Sequence, residues 1–136
     1  MTYTINHFGH FYLTYSLFDL IEKSKEGRIL NVSSIGHFSG EADLLDDLTF
    51  EKSYSSMGVY KNSKLLNVLF SVGLKDLFEK KNLKHLKSAS LHPGFVDSGF
   101  GVENNMMKFY RCCCFCLRVN QETGATTSLY LSRIPF

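Results

Sequence analysis

Apolar residues recur at helical spacing near the start of the chain: Ile5, Phe8, Tyr12, Leu17, Phe18 and Ile21 fall on one broad stripe. Lys23 and Lys25 then give a basic last turn before Gly27, a stop signal, so the pattern predicts a helix over 2–25. The run RILNVSS at 28–34 is short, apolar and ends in serines, which predicts a buried strand. Residues 35–55 read as a long loop with a turn of helix near LLDDL, and loops of that length in a compact domain are usually functional or mobile. A second helix is predicted over 56–81, with Leu65, Val68, Leu69, Val72 and Phe78 facing inward. SASLHPG at 88–94 reads as another short strand, stopped by Pro93-Gly94. An apolar and basic segment follows at 105–118, expected to be helical, and a last helix over 121–133 begins at Gln121 or Glu122.

This order is a βαβ unit with a helix ahead of it, which implies parallel strands. Two strands are too few for a parallel sheet, which is normally wider and covered on both faces. The expected fold class is therefore α/β, a partial doubly wound Rossmann-type sheet, with 1–136 forming one truncated domain.

Composition narrows the function classes. The chain has 136 residues, 44% of them hydrophobic, which is material for one core and no more than one domain. A net charge of +2 gives no electrostatic footprint for nucleic acid. No apolar run reaches the ~18–20 residues of a membrane-spanning helix. The start, MTYTINHFGHF, lacks the basic and apolar regions of a secretory signal. Cys112, Cys113, Cys114 and Cys116 stand too close together for a disulfide framework or a metal knuckle, and read as reduced thiols in a cytosolic setting. His7, His10, His37, His85 and His92 are scattered without a ligand-pair spacing, so no metal site is expected. Asn31 and Asn67 read as local hydrogen-bonding residues, and the acidic stretch around Asp46 and Asp47 as a solvated loop.

The candidate chemistry lies in VYKNSKLLNVLF, 59–70, where Tyr60 and Lys64 stand one helical turn apart. A phenol titrates near pH 10, and a fixed ammonium beside it favours the phenolate. Such a phenol can give a proton to a carbonyl oxygen or take one from an alcohol, the proton chemistry that accompanies hydride transfer. Chance alone predicts ~0.6 tyrosine–lysine pairs at this spacing, so the pair by itself is a weak signal.

Four segments in order strengthen it: Asn6 in TINHFGHF, Ser34 in RILNVSSIG, Tyr60 and Lys64 in YKNSKLLNVLF, and HPGFVDSG at 92–99. Over roughly 3–100 the chain resembles the second half of a short-chain dehydrogenase/reductase, with wording closest to the retinol dehydrogenase-like branch; QETGATTSLYLS resembles that branch's late helix. The resemblance divides the domain into a catalytic core portion, 1–100, and a substrate-loop region with the late helix, 101–136. It implies an NAD- or NADP-dependent oxidoreductase interconverting an alcohol and a carbonyl on a small lipophilic substrate. By the same resemblance Tyr60 is the general acid/base and Lys64 assists it and holds the nicotinamide ribose. Ser34, with Ser33 as its rival, binds the substrate oxygen, and Asn6 holds a water in the proton relay. Pro93, Gly94, Val96 and Ser98 line the nicotinamide side, Ser98 standing where the family usually has threonine. Helices 2–25 and 56–81 resemble those that form a four-helix dimer contact in many family members. Segment 106–119 has two readings: a substrate-entry helix touching a membrane surface, with cysteines open to palmitoylation, or a mobile apolar lid over a lipophilic pocket or a buried helix. The expected location is the cytoplasm, with the cytosolic face of the endoplasmic reticulum membrane as the alternative.

The chain departs from the family at its front. No TGxxxGxG turn occurs in these residues, and the only GxG, Gly99-Phe100-Gly101, fails at Asn104 and follows the wrong strand. The segments that grip pyrophosphate and select NAD from NADP are missing. The alternative expectation is thus a catalytically inactive truncated isoform or fragment that acts through dimerisation.

Overall fold

The computed structural model describes residues 1–41, 47–49, 54–98 and 118–135. It forms two compact units, one built on Met1–His92 and the other on Pro93–Ile134.

The first unit is helix, strand, helix, strand. The predicted first helix is three pieces: a π-helical turn at Thr4–Phe8, α1 at Gly9–Ser16 and α2 at Phe18–Glu22. β1 covers Gly27–Val32, and a 3-10 turn at Ile35–Ser39 follows it. α3 runs Ser56–Lys80 and β2 Leu86–Leu91. β1 and β2 pair in parallel, from Gly27 opposite Leu86 to Val32 opposite Leu91, as a βαβ unit requires. Both strands sit one to three residues earlier than the sequence pattern placed them. Ser33 and Ser34 therefore lie just beyond the end of β1, and Pro93 and Gly94 lie outside β2.

Helix α3 has two well-made ends. Ser55 caps its start, its Oγ accepting from Gly58 N at 3.2 Å. At its finish Asn82 adopts φ +56°, Asn82 N donates to Glu79 O and Leu83 N to Phe78 O. That is the paired bonding of a Schellman motif, sealed by packing of Leu83 with Phe78.

The buried stripe of α3 is Val59, Asn62, Ser63, Asn67, Ser71, Leu74 and Phe78. Leu74 and Phe78 meet Ile29 and Leu86 in the core, with Phe18, Ile21, Phe70 and Leu83 against it. Each fully buried side chain of this size contributes roughly 1.5–3 kcal/mol. The other half of the stripe is polar: Asn31 Nδ2 donates to Ser71 Oγ at 2.9 Å and Ser71 Oγ to the Asn67 carbonyl at 3.1 Å.

This corrects the expected inward face. Leu69 and Val72 are 48% and 52% exposed, because the helix presents its small polar residues to the carboxyl end of β1, where backbone groups need partners. The apolar stripe of the first helix is turned outward too, with Ile5, Phe8, Tyr12 and Leu17 exposed and only Phe18 and Ile21 reaching the core.

The second unit contains β3 at Phe95–Val96, parallel to β4 at Arg118–Val119, and α4 at Gln121–Arg133. Asn120 caps α4 through Thr123 N at 2.8 Å. No described helix is long and apolar enough to cross a membrane. Residues 105–117 of the predicted helix at 105–118, its four cysteines and most of LLDDL lie outside the described residues, while Arg118 is in strand β4 and not helical.

Candidate functional site

The first turns of α3 and the chain just beyond β1 bring three of the expected groups to one place. Tyr60 and Lys64 share a helix face, with Lys64 Nζ 5.7 Å from the centroid of the Tyr60 ring. Nζ donates to the Val32 carbonyl at 3.1 Å, which ties the ammonium to the end of β1. Burial holds the Lys64 ammonium below the ordinary lysine range, because desolvation disfavours the charged form.

Ser33 and Ser34 have different surroundings. Ser33 is buried and its hydroxyl donates to the Lys64 carbonyl at 2.7 Å, so it serves to seat the helix on the strand. Ser34 is half-buried and its Oγ accepts from Gly36 N at 3.2 Å, which leaves the hydroxyl hydrogen for another acceptor. A methyl group on Gly36 would stand 3.6 Å from Ser34 Oγ and 3.7 Å from Tyr60 Cε1, so the serine hydroxyl and the tyrosine ring flank the same glycine. His37 Nδ1 lies 2.6 Å from the Ser34 carbonyl and steadies the 3-10 turn.

Asn6 lies in the π-helical turn, a distortion that recurs at functional sites. Its Nδ2 donates to Ser63 Oγ at 3.1 Å, and Ser63 Oγ donates to the Tyr60 carbonyl at 2.7 Å. Asn6 thus reaches the backbone of the Tyr60 turn through Ser63.

Two further residues join the site that sequence reading set aside. His7 Nδ1 is 3.0 Å from Asn67 Oδ1, and Asn67 Nδ2 donates to the Val32 carbonyl at 3.1 Å, the same oxygen that Lys64 reaches. The signal available in the sequence was the spacing of Lys64 and Asn67, three apart on one helix face. Nothing in the sequence marked His7, which is buried and edged by the rings of Phe8, Phe11 and Phe70.

Pro93, Gly94, Val96 and Ser98 belong to the second unit. Gly94 has φ +86°, a left-handed conformation that favours glycine. Val96 packs on Gly124 of α4 so closely that a methyl group there would come within 2.4 Å of Val96 Cγ2. Asp97 receives a 2.7 Å bond from Arg118. Among the described residues no group of histidine, cysteine and carboxylate side chains could hold a metal ion.

No family model matches the chain. Curated proteins do. Retinol dehydrogenase 12 of Homo sapiens is 39% identical over 127 residues, retinol dehydrogenase 11 of Mus musculus 36% over 126, and retinol dehydrogenase 14 of Homo sapiens 33% over 139. These alignments cover 93%, 93% and 99% of this chain but 39%, 39% and 40% of the relatives. The chain thus spans about two fifths of the length of the curated relatives it matches. A crystal structure of an uncharacterised protein from Mycobacterium paratuberculosis superposes with a TM-score of 0.70 at 26% identity, over 96% of this chain and 41% of that one.

Proposed function

This chain belongs to the retinol dehydrogenase-like branch of the short-chain dehydrogenase/reductase superfamily, and on that premise we propose that it carries the proton-transfer portion of an NAD(P)-dependent oxidoreductase acting on a lipophilic alcohol or aldehyde. The observation that carries this reading is the grouping at the end of β1: Ser34 and Tyr60 flank Gly36, and Lys64 is anchored one turn further on.

In the reduction direction the Ser34 hydroxyl donates to the substrate carbonyl oxygen and orients it. The Tyr60 phenol gives its proton to that same oxygen, and Lys64 stabilises the phenolate that remains. In the oxidation direction the phenolate takes the alcohol proton. Asn6, through Ser63, sets the backbone of the Tyr60 turn. A bound nicotinamide supplies the hydride donor or acceptor. The residues of the first unit fit its ribose end: a half-buried ammonium stands beside a tyrosine. They do not include a phosphate-binding turn, so adenosine and pyrophosphate would need residues outside this sequence. Pro93, Gly94, Val96 and Ser98 are assigned to the nicotinamide edge by family position.

The test joins these residues to a glycine-rich dinucleotide-binding half from a relative and measures turnover of a long-chain aldehyde with NADPH and with NADH. Tyr60→Phe should lower turnover at least ~100-fold. Undiminished turnover would remove the reading.

A second reading is favoured by one observation. The outward faces of α1, α2 and α3 form an apolar groove of about 760 Å³ lined by Phe11, Tyr15, Phe18, Phe70, Leu77 and Lys81. This surface suits helix pairing with a second copy or a full-length relative. Sedimentation of the chain alone and mixed with a relative tests it: a lone species at all concentrations removes the dimer. Peripheral membrane contact through 106–119 would show as vesicle co-sedimentation that is lost when that segment is deleted.

A further inference from the structure

Beneath Lys64 lies a hydrogen-bonded chain that the proton-transfer chemistry does not itself use. Ser33 N donates to Leu91 O across the sheet. Backbone groups alternate in direction along a strand, so the carbonyl of Val32, one residue earlier, is turned away from β2 and needs another partner. It receives two: Lys64 Nζ and Asn67 Nδ2, each at 3.1 Å.

The protonation pattern follows from donor counting. A carbonyl oxygen only accepts, so the Asn67 atom facing Val32 must be the amide nitrogen. The amide oxygen of Asn67 then faces His7 Nδ1 at 3.0 Å. Two acceptors repel, so Nδ1 carries the hydrogen, the opposite of the tautomer that free histidine favours. Asn67 is 0% exposed and His7 8% exposed, so water does not compete for these groups.

We propose that His7 and Asn67 are positioning residues for Lys64. The imidazole N–H fixes the orientation of the carboxamide, the carboxamide and the ammonium share the Val32 carbonyl, and that shared oxygen sets where the ammonium stands beside Tyr60. The proposal rests on the reading of Tyr60 and Lys64 as the proton-transfer pair and names what keeps that pair in register. Without the imidazole N–H, nothing holds the carboxamide of Asn67 in place, its amide nitrogen no longer pins the Val32 carbonyl, and that carbonyl can swing off Lys64.

The experiment uses the 136-residue chain with nitrogen-15 histidine and carbon-13 lysine labels. Long-range proton–nitrogen correlation should show His7 as the Nδ1–H tautomer at neutral pH. The Lys64 titration, followed at Cε, should move down by ~0.5–1 pH unit in His7→Phe, the equivalent of one lost hydrogen bond to the charged form. It should stay at the native position in His7→Gln, whose amide N–H can reach the same oxygen. An Nε2–H tautomer in the native chain overturns the proposal, as does a Lys64 titration that is unmoved in His7→Phe or moves equally in both variants. Should His7→Phe fail to fold, the native tautomer and the His7→Gln titration decide. Failure of the proton-transfer reading looks different: turnover survives Tyr60→Phe while the tautomer and the titrations stand as described.

Discussion

Replacing Asn67 with alanine should destabilise the first unit by ~2–4 kcal/mol. The side chain is completely buried and makes two bonds, one with His7 and one with the Val32 carbonyl. Val32 keeps Lys64 as a donor after the substitution. His7 keeps nothing: its N–H is left among the rings of Phe8, Phe11 and Phe70, and an orphaned buried donor costs ~1–3 kcal/mol. The void left by the carboxamide adds about 1 kcal/mol. Urea unfolding followed by circular dichroism at 222 nm measures the sum. Asn67→Leu separates its parts, since leucine refills the volume but leaves the N–H unmet, and should recover only the smaller share. The reasoning fails if Asn67→Ala stays within ~0.5 kcal/mol of the native chain, or if Asn67→Leu matches the native chain.

Lys64→Met should raise stability at pH 7, with the gain shrinking as pH climbs toward the ordinary lysine range. Burial lowers the folded-state value of Lys64, so the unfolded chain binds the proton more tightly and the native protein gains stability as pH rises through that window; unfolding curves at pH 7 and above pH 9 would show the converging difference. His92 is held below the ordinary histidine range first by burial and then by the charge of His37. His37→Gln removes the second cause, so the His92 titration seen by proton NMR should move up part of the way toward the ordinary value. The native protein should also lose less stability on acidification through that range in the variant than without it. Gly124→Ala should destabilise the second unit by ~1–3 kcal/mol through contact with Val96, and Val96→Ala in the same chain should relieve it, as paired thermal melts would report.

The order of elements was legible because the helical spacing of α3 and the start of α4 at Gln121 or Glu122 could be read from the chain. α3 falls within a residue of the predicted 56–81 and α4 begins at Gln121, while the caps at Ser55 and Asn120 emerged only in the structure. β2 was read two residues late because LKSASL is almost without apolar alternation, and Pro93-Gly94 marks a stop well past its last paired residue. The inward face of α3 was misread for a physical reason. Periodicity counts apolar residues, whereas the seam at the end of β1 is made of Asn62, Ser63, Asn67 and Ser71, buried because they bond. The same blindness hid His7, since a histidine between aromatic residues has no period that separates a hydrogen-bonded group from an exposed one. Tyr60, Lys64, Ser34 and Asn6 were legible only through their joint order; each alone is ordinary. Sequence reading could not separate the surroundings of Ser33 and Ser34; in the structure the Ser33 hydroxyl is committed to a helix carbonyl.

The two halves of α3 are held by different means, and that difference has a kinetic consequence. Its far turns are clamped by Leu74, Phe78 and the double-bonded finish, while its opening turn rests on an exposed serine cap. Amide hydrogens around Phe78 should exchange only when the whole unit comes apart, whereas those near Met57 and Gly58 can leak through fraying that never disturbs the clamped end. A molecule that settles against Tyr60 and Ser34 would therefore act as a latch on the looser end, tightening motion locally and leaving the far end as it was.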